Sequence, residues 1–202
     1  FSGDTKVALL DGRNISFREL VKEHRQGKQN YCYTIKDDGS IGVEKIVEPR
    51  ITKRQAEVIK VVLDNDEEIV CTPDHLFMTR DGQYVMAKNL NPKQSLMPLY
   101  RKLSKIGGKI TIDGYEMVFS PRGNWWVFTH LLGDKHNLTS SVYSAETGET
   151  VHHRDFDKLN NNPDNLVRMT KADHIVLHAS LPEYTIHRPE VKEKCRQIRQ
   201  SA

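Results

Sequence analysis

Residues 151–178 read Val-His-His-Arg-Asp-Phe-Asp-Lys-Leu-Asn-Asn-Asn-Pro-Asp-Asn-Leu-Val-Arg-Met-Thr-Lys-Ala-Asp-His-Ile-Val-Leu-His, and hold four of the nine histidines. The pattern predicts a short strand ending in His152 and His153, a polar loop rich in Asp, Asn and Pro, a second strand over 166–169, and a helix from about Lys171. Thr170 suits the helix N-cap, with Asp173 three residues on as its capping partner. Within that helix His174 and His178 stand at i and i+4, so both imidazoles leave one face and can reach one ion.

Adjacent strand residues point to opposite sides, which divides the labour of His152 and His153. With His152 joining His174 and His178, three neutral nitrogens leave coordination positions open, as a catalytic ion requires. His153 is then free to act as a base, its ordinary pKa of about 6.5 lying near working pH. Asn165, at the start of the second strand, can bridge the loop through its side-chain amide and hold the His153 peptide. Three nitrogens do not select the metal: Mg, Mn, Zn and Ni all remain open. The alternative is a structural zinc site that uses all four histidines.

These residues resemble the HNH (ββα-metal) nuclease motif. In that family the first His of the pair is a ligand, the second is the general base, and an Asn twelve positions later is structural. Two His residues nine and thirteen beyond that Asn close the metal site. His152, His153, Asn165, His174 and His178 meet every one of these spacings. The resemblance therefore implies one divalent metal ion, a double-stranded DNA substrate, and His153 with Asn165 as the catalytic pair.

Outward from this segment, 202 residues can hold two domains of about 100 each. With 28% charged and 37% hydrophobic residues the composition is that of a globular chain, and the net charge of +3 permits nucleic acid binding without demanding it. Cys32, Cys71 and Cys195 are far apart and show no CxxC spacing, which argues against a disulfide framework. No signal peptide or membrane-spanning apolar run is evident, so the expected location is the cytoplasm, with no membrane partner.

Residues 1–103 read as a β-rich unit. Strands are expected over 6–10, 31–35, 43–47, 58–63, 68–71, 76–78, 84–87 and 96–99, giving a sandwich or curled sheet. One short helix is expected from the capping box Ser16-Phe17-Arg18-Glu19 to Gly27. In Thr72-Pro73-Asp74-His75, a hydroxyl and an imidazole can converge on one carbonyl or amide, as strained-peptide chemistry needs. With Ser2-Gly3-Asp4-Thr5, Tyr33-Thr34-Ile35 and Ser95-Leu96-Met97-Pro98-Leu99, this unit resembles the N-terminal part of an intein, the Hint protein-splicing domain, and most of all inteins inserted in DNA gyrase B. The resemblance implies a mainly β, horseshoe-like splicing domain with Thr72 and His75 as splicing-assist residues. It also implies an embedded α+β HNH nuclease, and as partners the gyrase B flanks or a complementary C-terminal intein segment. Those inteins begin Cys-Phe-Ser-Gly-Asp-Thr, so Phe1 aligns with their second residue; with no terminal His-Asn pair either, the chain alone is not expected to splice.

Residues 104–180 then form the nuclease unit. Gly107-Gly108 marks the boundary, a hairpin is expected to join 110–112 to 115–119 around Asp113-Gly114, and Trp125, Trp126 and Phe128 lead into a strand or helix. These aromatics could stack bases or pack a small core. His130 and His136 read as surface or packing residues. Residues 181–202 read as a helical DNA-binding tail that starts at Pro189. Candidate phosphate contacts are Arg154, Arg168, Lys171, Lys192, Arg196 and Arg199. Two rivals stay open: a splicing module whose nuclease has decayed to a DNA-binding or zinc-stabilised remnant, and a DNA-binding module with no chemistry.

Overall fold

The computed structural model describes residues 1–184 and 189–200, though not the side chains of residues 190, 194, 195 and 198–200. Among the described residues the strands pair as five two-stranded antiparallel ribbons and one three-stranded sheet. The first ribbon pairs β1 (Lys6–Ala8) with β2 (Asn14–Ser16). Helix α1 (Phe17–Arg25) follows with both halves of its capping box made, Glu19 N–H to Ser16 Oγ and Ser16 N–H to Glu19 Oε2. The second ribbon pairs β3 (Tyr31–Ile35) with β4 (Ile41–Lys45), which begins two residues earlier than expected. Its turn closes tightly after Ile35, with Gly39 at φ 76° and its N–H on Lys36 O.

Next come the ribbon of β5 (Ile59–Val62) and β6 (Glu68–Cys71), and that of β7 (Leu76–Met78) and β8 (Tyr84–Met86). The strand expected over 96–99 is reduced to a bridge from Leu96 to Thr79. In place of one sandwich or curled sheet, the polypeptide makes short twisted ribbons, each too narrow to bury a face alone.

The three-stranded sheet runs β11 (Trp125–Phe128), β10 (Glu116–Ser120), β9 (Arg101–Leu103). The hairpin expected around Asp113-Gly114 is therefore corrected: β10 pairs with residues 101–103, and Ile110 only bridges back to Gly107. Backbone groups of 116–118 find better partners there because Ser104 fastens the crossing loop, its N–H on Tyr115 O and its Oγ on Ile112 O. Helix α2 (Thr129–Thr139) follows β11 directly.

β12 (Thr150–His153) pairs with β13 (Leu166–Met169), and α3 (Lys171–Ser180) starts at Thr170, whose side chain accepts from Asp173 N–H. α4 (Pro189–Gln200) is the last helix. No helix among the described residues is long and apolar enough to cross a membrane.

A single apolar cluster of Leu10, Tyr31, Ile41, Val43, Val118 and Leu132 joins the first two ribbons to β10 and α2. Burying it removes from water side chains each contributing on the order of 1.5–3 kcal/mol. His136 Nδ1 lies 3.2 Å from Val43 O, and the Asn161 N–H donates to Leu10 O at 2.9 Å. The β12–β13 segment is thereby seated against the β-rich part of the chain.

Candidate metal and hydrolytic site

β12 presents its two histidines to opposite sides. His152 turns to α3, with ring centroids 5.2 Å from His174 and 5.1 Å from His178, which are 4.3 Å from each other. The one-turn spacing on α3 makes this possible, and one ring nitrogen from each of the three lies within 4.8 Å of the others. His152 Nδ1 and His178 Nε2 are 3.4 Å apart, close to the edge of a tetrahedron with metal–nitrogen bonds of about 2.0–2.1 Å. His152 Nε2 is buried with no partner among the described residues. Three imidazole nitrogens gathered this closely fit a divalent cation. Burial, then the neighbouring His178 and His174, push the His152 pKa down to about 4, keeping the ligating form neutral. Phe156, with a left-handed backbone at φ 61°, packs its ring 4.8 Å from His152 and 5.4 Å from His178, and stacks on Tyr184. A bulky residue in that region is strained and holds only where its surroundings enforce it.

His153 faces the other way. Its Nε2 lies 3.1 Å from Asn161 Oδ1, and the rings of His130 and Tyr115 stand 5.9 and 6.1 Å off. Burial lowers its pKa while the Asn161 hydrogen bond opposes the shift. His130, read from sequence as a packing or surface residue, has a buried Nδ1 without a partner among the described residues and a pKa lowered to about 4, first by burial and then by His153.

Asn165 ties the loop between the strands. Its Nδ2 donates to Asp155 Oδ1 and Asn160 O, and its Oδ1 accepts from Asp155 N–H. The peptide after His153 is held by the Asn165 backbone, Arg154 N–H donating to its carbonyl at 2.8 Å. Asp155 stays ionised below its ordinary range because the Asn160 and Asn165 amides and the Asp157 N–H outweigh its burial.

The basic candidates separate. Arg154 and Lys171 are exposed beside the site. Arg168 is corrected: its Nε and Nη2 each lie 2.7 Å from the Asp134 carboxylate and its Nη1 donates to Gly148 O. That fork, with Asp134 also accepting from Tyr143 Oη, turns the guanidinium inward, where it pins β13 to α2. Lys192 and Arg196 are exposed on α4, Arg196 pairing with Glu193, and the side chain of Arg199 lies outside the described residues. Of the aromatics, Trp126 packs on Phe119 under Lys102, and Trp125 is exposed.

Thr72 and His75 sit apart from these histidines, at the end of β6. His75 N–H donates to Thr72 O, and the Phe1 ring lies 4.0 Å from the His75 ring. Ser2 N–H and Thr5 Oγ1 both donate to Val70 O, which seats the first residues against this turn. Burial lowers the His75 pKa, against the pull of Asp74.

Sequence reasoning passed over Asn161, Asp134 and Phe156. Three consecutive asparagines, Asn160 to Asn162, carry no local mark of which one turns inward.

Two antiparallel strands and a helix gather three imidazoles on one side of β12 and leave one on the other, and residues 144–176 of this segment match the family model described as HNH endonuclease. The whole chain is 58% identical over its 202 residues to part of the DNA gyrase B protein of Synechocystis sp., and spans 19% of that protein's length. The family-model match and the identity to a region of gyrase B are together consistent with an intein inserted in gyrase B.

Proposed function

We propose that the chain is part of a gyrase B intein carrying a homing endonuclease, which hydrolyses phosphodiester bonds of double-stranded DNA at the insertion site. The observation that carries this reading is the split of the paired histidines, His152 among the α3 imidazoles and His153 across the strand against Asn161. His153 takes a proton from water as the water oxygen attacks phosphorus in line, the bond from phosphorus to the 3'-oxygen breaks, and Asn165 holds the loop. His152, His174 and His178 would hold one divalent ion, Mg, Mn, Zn or Ni, which supplies positive charge to the phosphate oxygens and the departing oxygen. Arg154 and Lys171 contact backbone phosphates, and Lys192, Arg196 and Arg199 extend that contact along a C-terminal tail over 181–202. The nuclease unit occupies 104–180, with residues 101–103 before it supplying an edge strand to its sheet. Residues 1–103 form the N-terminal part of a Hint-type horseshoe, with Thr72 and His75 serving the splice junction with host flanks; the contact between Phe1 and His75 supports this.

The test is metal-dependent nicking of plasmid DNA with and without the insertion site. His153→Ala should abolish cleavage with metal and DNA binding retained, and equal cleavage by that variant refutes the assignment of the base. His174→Ala should lose metal binding, measured by calorimetry, together with activity.

A further inference from the structure

A neutral imidazole has one lone-pair nitrogen, so a base at His153 needs its tautomer set. Resting on the nuclease reading, we propose that Asn161 is the positioning residue that keeps the proton on His153 Nε2 and leaves Nδ1 as the basic nitrogen, and that the Leu10 carbonyl of the β-rich part holds Asn161 in place.

Asn161 is fully buried. Its Nδ2 donates to Leu159 O at 3.0 Å, which turns Oδ1 to His153 Nε2 at 3.1 Å. Exchanging the amide oxygen and nitrogen would set two acceptors against each other at Leu159 O and leave buried polar atoms unpaired, so Oδ1 faces the imidazole. A carbonyl oxygen accepts only, hence Nε2 donates and Nδ1 keeps its lone pair.

The backbone fixes the amide in turn. Asn161 N–H donates to Leu10 O at 2.9 Å, and Leu159 packs against Gly12, where an added Cβ would lie 3.6 Å from the leucine Cβ. On its other side the Asn161 carbonyl meets α2 at Gly133. The first ribbon therefore belongs to the support of the hydrolytic site, although it lies some 150 residues away in sequence. His152 and the α3 imidazoles stand across β12 and take no part in this chain of contacts.

The test uses the full chain labelled with 15N-histidine and loaded with Zn2+, its His153 signals assigned by comparison with His153→Gln. The expected spectrum has a pyrrole-type Nε2 and a pyridine-type Nδ1. Asn161→Leu should give mixed or reversed tautomers and lower kcat for plasmid nicking by about 10–100-fold, with KM and Zn2+ affinity unchanged. Asn161→Asp keeps an acceptor towards Nε2 but sets a second oxygen against Leu159 O, so it should keep the tautomer while losing less kcat than Asn161→Leu. A wild-type His153 protonated on Nδ1 overturns the proposal, as does an Asn161→Leu protein with wild-type spectrum and kcat, or one whose loss is confined to Zn2+ affinity. Should Asn161→Leu fail to fold, the wild-type spectrum and Asn161→Asp decide. If wild-type protein shows the expected tautomer but never cuts DNA, the nuclease reading fails and the positioning role stands.

Discussion

Replacing Gly133 by alanine sets two effects of opposite sign against each other. In a helix interior alanine is favoured over glycine by about 0.8–1.0 kcal/mol, so propensity alone makes Gly133→Ala stabilising. In α2 the new Cβ would come within 2.7 Å of both Asn161 O and Leu166 Cδ1, closer than carbon atoms pack. The leucine methyl can turn only into a packed interior, since Leu166 is 2% exposed. The carbonyl cannot easily retreat, because the same residue's N–H is anchored on Leu10 O. Overpacking of this kind costs about 1–3 kcal/mol, which outweighs the propensity gain and leaves a net loss of about 1 kcal/mol. For a chain of this size each kcal/mol lowers Tm by roughly 2–4 °C. Urea titration of wild type and variant measures the loss, and plasmid nicking should fall further than stability does, because the displaced carbonyl belongs to the residue that touches His153. A variant more stable by the full propensity gain, with unchanged nicking, would refute the reasoning, since it would mean that the loop yields freely.

Arg168→Ala should cost about 3–5 kcal/mol, read by the same titration, because it strands the Asp134 carboxylate in a buried setting. Arg154→Ala should leave stability within about 0.5 kcal/mol while lowering the salt slope of DNA binding by about one. Equal stability losses in the two would contradict the burial of the Arg168 pair. Acid should weaken the first ribbon through Glu23. The Arg13 guanidinium, then the Asn30 amide, hold this carboxyl at about 2, against its burial. A depressed carboxyl contributes stability that is complete above its ordinary range near 4.5 and is lost as pH falls towards 2. Because Arg13 is 37% exposed, solvent screening reduces the contribution to about 1 kcal/mol. Unfolding free energies between pH 6 and 2.5 should therefore show a drop that Glu23→Gln lacks, and identical curves would remove Glu23 as its source.

Several features were legible in the residues because their physics is local. The i, i+4 spacing of His174 and His178 obliges two rings to share a helix face, and Thr170 with Asp173 and Ser16 with Glu19 start helices through contacts three residues long. Alternation along β12 separates His152 from His153 for the same reason. What the sequence did not contain is which distant group meets which. Nothing near residue 161 shows that its amide turns to His153 and its N–H to Leu10, and nothing near Arg168 marks Asp134, 34 positions earlier, as its partner. The pairing of β10 with residues 101–103, and the shared burial of Leu10, Val118 and Leu132, likewise arise only when ribbons too narrow to bury a face alone are packed together. Local chemistry determined that His174 and His178 share one helix face and that His152 and His153 part across the strand, because spacing along each element sets where its rings point. The tertiary structure decided how the opposing histidine is held, because each of its supports is a hydrogen bond or a packed surface closed over a long loop.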